Sequence, residues 1–198
     1  MGPLEKKRPV IFAGENHLIT LYRPGGNEAV AGASCWRCTY SAHGEGFVLA
    51  MWCDPRAAGA PGLPQTSVYA DNAAMGRMVM ARFNQYFAGF QGRGLAEREP
   101  QPARFFQQAD GRRLHRITCV AADVSIELLW QEIFDAALEI FDNRSGPEPY
   151  DVSAVICPCQ RGTIAINGAA LRGEVRVPAG PSASSAFLAF SETWVARG

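Results

Sequence analysis

The stretch "RRLHRITCVAADVSIELLW" limits the fold more than any other. Leu114, Arg116, Thr118 and Val120 alternate with His115, Ile117, Cys119 and Ala121. After a tight 122–123 connection, Val124, Ile126, Leu128 and Trp130 alternate with Ser125, Glu127, Leu129 and Gln131. Alternation by twos on both sides of so short a link predicts an antiparallel hairpin. A parallel pair would need a crossover of about a dozen residues or more.

The same pattern recurs along the chain. A strand is expected over 17–22, closed by Pro-Gly-Gly, and a hairpin over 30–41 and 46–53 around "HGEG". "RAAGAPGLPQ" and "GRGLAEREPQPA" read as loops. The last third is strand-like almost throughout. Asn167 and Gly168 carry the strongest hairpin signal, because a type I′ turn needs positive φ at both central residues. Arg172, Glu174 and Arg176 alternate with Leu171, Gly173, Val175 and Val177, which predicts a strand with one wet face. In "SSAFLAFSETWVA", simple alternation puts Ala186, Leu188, Phe190, Glu192 and Trp194 on one face. That many antiparallel strands, about eight to ten, curl into a barrel or sandwich to remove exposed edges.

One helix stands out, over about 71–88. Asp71 is a suitable N-cap, and Gly89 is placed to end the helix. Met75, Met78, Val79, Phe83, Tyr86 and Phe87 follow helical spacing. So wide an apolar stripe fits packing on a sheet face. "VSIELLWQEIFDAALEIFDN" is ambiguous, since a helical stripe and a strand alternation both fit its first half. The hairpin context predicts strand to about Gln131, then a loop or short helix through Asp142. The expected whole is a single mainly β (α+β) domain over 1–198: an antiparallel barrel with one long helix packed against it.

Composition narrows the function. Formal net charge is zero and charged residues make up 19%, which argues against a nucleic-acid partner. The 47% apolar content argues against disorder. No run of apolar residues is long enough for a spanning helix and the N-terminus does not read as a secretory signal, so a cytoplasmic location without a membrane partner is expected. The six cysteines are then expected to be reduced. "CWRC" and "CPC" can be written as a four-thiolate zinc site, but Cys35 and Cys38 in a strand point to opposite faces, so small buried core residues is the preferred reading. No metal or organic cofactor is called for, since GxGxxG, GxSxG, HExxH and Walker sequences are absent from the chain.

What remains is polar residues in apolar settings. His115, Glu127, Glu192, Tyr40 and Asp54 are the candidate catalytic groups. A carboxylate among large apolar neighbours is pushed toward its neutral form and can then donate a proton. Each also has a bland reading: Glu127 facing water from a half-buried strand, Glu192 at a strand end, His115 exposed beside Arg113 and Arg116, Tyr40 and Asp54 merely flanking a hairpin. Trp36, Trp52, Trp130 and Phe134 are the candidate cavity walls for a small hydrophobic molecule.

"INGAALRGEV" followed by "SSAFLAFSETWV" resembles the last hairpin and closing strand of bacterial calycin-like, lipocalin-shaped barrels related to hydroxyneurosporene hydratases. The resemblance is confined to this C-terminal stretch. It implies a barrel enclosing a hydrophobic molecule, and enzymes that hydrate, cyclise or isomerise terpenoid-like compounds without organic cofactors. Two functions follow as expectations. One is a cofactor-independent lyase, isomerase or hydratase, for example opening an epoxide. The other is a carrier that binds the same ligand without chemistry. A homodimer is left open.

Overall fold

In the computed structural model, residues 8–143, 150–177 and 184–197 are described. Their strands are β1 (Val10–Tyr22), β2 (Ala29–Ser41), β3 (Gly46–Cys53), β4 (Thr66–Ala70), β5 (Gln101–Pro102), β6 (Arg104–Asp110), β7 (Leu114–Val120), β8 (Ser125–Ile133), β9 (Ala137–Asn143), β10 (Tyr150–Ile166), β11 (Ala169–Ala170) and β12 (Ala186–Ala196). Ten of them run in the order β5-β4-β3-β2-β1-β12-β10-β8-β7-β6, with β9 and β11 attached to β10. The ends of that path are consecutive in the chain: β5 pairs in parallel with β4 and leads straight into β6, which pairs with β7. This nearly closes a ten-stranded barrel. The mainly β barrel, with one α-helix among the described residues, is therefore the fold the alternation predicts.

Two apolar layers result. One fills the barrel with Ile19, Leu21, Cys35, Leu49, Met51, Ile117, Ile126, Leu128, Trp130, Ile164 and Leu188. The other lies outside the wall, where Phe12, Trp36, Val48, Trp52 and Trp194 meet the helix α1 (Ala73–Arg82) through Met75, Met78, Val79 and the following Phe83. The helix is shorter than the expected 71–88. It ends at Arg82, and a 3-10 turn, Asn84–Tyr86, follows. Its N-cap is Asn72, whose side chain accepts from the Met75 N–H. Asp71 instead accepts from the Phe47 N–H and is spent on the sheet.

Three further expectations are corrected. The 137–143 segment is strand rather than loop or helix, because β8 and β9 both pair with the 17-residue β10. Inter-strand hydrogen bonds to β10 outweigh a helical stripe that would have had no face to cover. Beyond β11, residues 171–177 form no strand; Gly173 takes φ +136° and only a Tyr22–Glu174 bridge remains. The third concerns β12. Ser191 has φ 51° and sits at a bulge, where the pairing of β1 with β12 shifts between Gly14 and Asn16. The extra residue reverses the alternation. Ala186, Leu188 and Phe190 therefore belong to the barrel interior, whereas Trp194 belongs to the outer layer. The Asn167–Gly168 turn forms as expected, with φ 50° and 82°, and joins β10 to β11.

Candidate functional site

The inner face of β1 carries Glu15, His17 and Ile19 in alternation. The register against β2 shifts beside Glu15, from Ala13 opposite Tyr40 to Gly14 opposite Cys38. A Cβ on Gly14 would lie 2.0 Å from the Arg37 carbonyl oxygen, so only glycine lets β1 and β2 approach so closely. Glu15 then pairs in register with Arg37, and Arg37 Nη1 donates to Glu15 Oε1 at 3.4 Å. The closing strand β6 brings Gln107 over the same end of the barrel, and β7 brings His115.

The hydrogen bonds fix their own polarity. A guanidinium only donates, so Gln107 Oε1 accepts from Arg37 Nη1 at 3.3 Å. The Gln107 amide nitrogen then faces the other way and donates to Glu15 Oε2 at 3.1 Å and to His115 Nε2 at 3.1 Å. His115 consequently accepts at Nε2 and carries its proton on Nδ1. Glu15 Oε2 also accepts from His17 Nε2 at 3.2 Å. That leaves His17 Nδ1 as a lone pair, buried and without a protein partner. The two imidazoles meet edge-on with centroids 4.7 Å apart. Trp130 and Phe190 pack against both rings. Trp130 is anchored by its Nε1–H donating to the Leu18 carbonyl at 3.0 Å.

Burial keeps both histidines neutral. It lowers His115 to about 4, with His17 adding to the effect and Glu15 opposing it. Burial also lowers His17, against the hydrogen bond and charge of Glu15. For Glu15, burial pushes upward, but the His17 and Gln107 hydrogen bonds and the Arg37 charge outweigh it and hold the carboxyl well below the usual range. The result is an ionised carboxylate, an Nε2–H imidazole and an Nδ1–H imidazole in one chain of contacts. His115 and Gln107 face a cavity of about 420 Å³ whose other walls include Phe134, Cys157, Leu188 and Phe190. Arg112 and Asp135 pair across its rim at 2.7 Å.

The candidates from the sequence fall into different places. His115 and Phe134 line this cavity, and Trp130 lies behind it inside the barrel. Glu127 does not join them. Its face, shared with Leu129, turns outward, because Ile126, Leu128 and Trp130 fill the interior. There it pairs with Arg116 at 3.3 Å. Trp36 and Trp52 lie in the outer layer, where Trp36 packs on Phe12 and Phe87 and Trp52 lies 3.4 Å beneath the Arg93 guanidinium. Tyr40 is 57% exposed at the end of β2. Asp54 caps a turn, accepting from the Arg56 and Ala57 N–H groups. Glu192 is buried, but in the outer layer, where Trp194 Nε1 donates to it at 2.6 Å. Burial raises it to about 7, against that hydrogen bond; Asn16 lies beside it without a well-formed bond. Cys35 and Cys38 do fall on opposite faces, one in each layer. No cluster able to hold a metal ion occurs among the described residues.

Glu15, His17, Arg37 and Gln107 escaped the sequence reading. The signal was "GENHLI", where Glu15 and His17 share a face with Ile19 if the first strand starts at Val10 instead of His17. Gln107 carried no signal, since β6 looks like a polar surface strand until the barrel closes. No protein-family model, curated protein or solved structure matches this chain.

Proposed function

We propose that the barrel mouth is the active site of a proton-transfer enzyme of the isomerase, lyase or hydratase kind. Its substrate is a small hydrophobic molecule carrying one polar oxygen. The observation that carries this reading is the buried contact of two imidazoles, with centroids 4.7 Å apart, whose hydrogen bonds to Glu15 and Gln107 imply opposite tautomers, one ring facing a largely apolar cavity. His115 Nδ1–H donates to the substrate oxygen, where negative charge develops. His17 Nδ1 accepts a proton from the adjacent carbon, after the substrate displaces the Phe190 ring. Glu15, hydrogen-bonded to the far side of that ring, stabilises the imidazolium, and the faces of Trp130 and Phe190 add to this. Return of the proton to a different carbon completes an isomerisation. Departure of the oxygen substituent instead gives a lyase reaction. Neither outcome calls for an organic cofactor. The C-terminal resemblance to calycin-like barrels acting on terpenoid-like compounds supports the same class.

The experiment is incubation of the protein in D₂O with a panel of small apolar ketones, enones and epoxides, followed by mass spectrometry. Deuterium incorporation or ring opening is expected with at least one of them, reduced by about 10²-fold or more in His17→Gln and in His115→Gln. Exchange that survives both substitutions in folded protein would sink the mechanism. The second reading, a carrier, is favoured by one observation: Ile133, Phe134, Leu188 and Phe190 make most of the cavity lining beside His115 apolar. Tight binding of panel members, unchanged in either variant and without turnover, would select it.

A further inference from the structure

The Ser191 bulge turns Glu192 away from the barrel and into a groove on its outer wall. This groove, of about 380 Å³, runs between β9, β10 and β12 and residues 86–88. Its walls include the rings of Tyr86, Phe87, Phe141 and Trp194, with Tyr86 and Trp194 5.4 Å apart. Its polar lining comes chiefly from Glu139 and Glu192, and no Lys, Arg or His lines it among the described residues. Glu192 lies at its buried end, only 4% exposed, with Trp194 Nε1–H on one oxygen. Beside it, Asn16 Nδ2 is buried without a hydrogen-bond partner.

We infer that this groove is a second binding site, separate from the barrel mouth, for an organic cation: a substituted ammonium bearing an apolar chain. Ring faces attract cations through their quadrupoles, and apolar substituents on the nitrogen lower the cost of leaving water. Glu139 and Glu192 have no basic neighbour among the described residues that line the groove, and a cation bound beside Glu192 draws that buried acid into its ionised form. The aromatic walls cover the chain. An anionic ligand meets two acids and is rejected. The site shares no lining residue with the barrel mouth, so the two are testable independently.

The test is calorimetric titration of the full chain with hexyltrimethylammonium, hexanol and hexanesulfonate. The ammonium should bind about tenfold or more tighter than the alcohol, and the sulfonate should not compete with it. Glu192→Gln and, at the rim, Glu139→Gln should each weaken the ammonium about fivefold or more and leave the alcohol unchanged. Glu139→Gln keeps the test valid if the buried substitution impairs folding. His115→Gln should leave ammonium binding as it is. Equal affinity for ammonium and alcohol overturns the inference. So does tighter binding of the sulfonate, or ammonium binding indifferent to Glu139→Gln in folded protein.

Discussion

At the scale of single residues, two buried groups titrate in opposite senses. Glu192 is raised from 4.5 to about 7, so folding favours its protonated form. Its contribution to stability is complete below pH 4.5 and is lost as pH rises through 7. Glu192→Gln should remove that loss. Its stability relative to the parent should be higher at pH 8 than at pH 5 by about 3 kcal/mol, read from urea unfolding at both pH values. An unchanged difference would mean that Glu192 is solvated. His115 is lowered from 6.5 to about 4, so its contribution is complete above pH 6.5 and is lost as pH falls toward 4. His115→Gln should flatten the acid limb of the same stability curve. Glu127, half-buried on the outer face and paired with Arg116, is the control: Glu127→Gln should change stability by no more than about 1 kcal/mol and leave any turnover intact.

At the scale of elements, bulges decide where the chemistry goes. Gly14 lets β1 press against β2, and this brings Glu15 to Arg37. Gly14→Ala should cost on the order of 2–4 kcal/mol, because the new Cβ meets backbone and not a side chain that can turn aside. Denaturant titration checks this, and a loss below about 1 kcal/mol would show that the strands separate easily. Bulges also mark the limit of what the sequence reveals. Alternation correctly delivers the 30–41/46–53 hairpin, the β7–β8 pair and the Asn167–Gly168 turn, each of which depends on local spacing. It cannot register an extra residue. Hence simple alternation puts Glu192 and Trp194 on the face of Phe190, and Ser191, with no glycine to announce a positive φ, gives no warning. The second half of 124–143 misled for a related reason. Its helical stripe is real, but β10 offers a partner that only the assembled hairpin makes evident.

At the scale of the whole molecule, closure creates the site. Gln107 meets His115 across the β6–β7 ladder, but it reaches Glu15 and Arg37 only because β5 and β6 come back to the β4 side of the sheet across the gap. The stacking of Phe47 on Phe105, with centroids 5.2 Å apart, spans the same seam. Phe105→Ala should therefore lower stability by about 2–3 kcal/mol and reduce exchange activity with it, the seam being what holds Gln107 in place. The closed barrel buries five of the six thiols and the outer layer covers Cys38, and burial pushes every one of them up, Cys119 and Cys159 to about 12. None should react with a disulfide reagent at pH 8 until the chain unfolds, and six should react in denaturant. Rapid labelling of the native protein would show that the barrel opens. The absence of a helix long and apolar enough to cross a membrane, among the described residues, is a property of this same strand-built design.

Everything proposed for the barrel mouth depends on two neutral imidazoles of opposite tautomer. Nitrogen-15 NMR of the histidine rings reads that directly, by distinguishing protonated from bare ring nitrogens across a pH titration. His17 should hold its proton on Nε2 and His115 on Nδ1, with His115 staying neutral until pH falls to about 4. A His115 ring that is doubly protonated at pH 6.5, or that carries its proton on Nε2, would contradict the hydrogen-bond chain from Arg37 through Gln107 and the mechanism built on it.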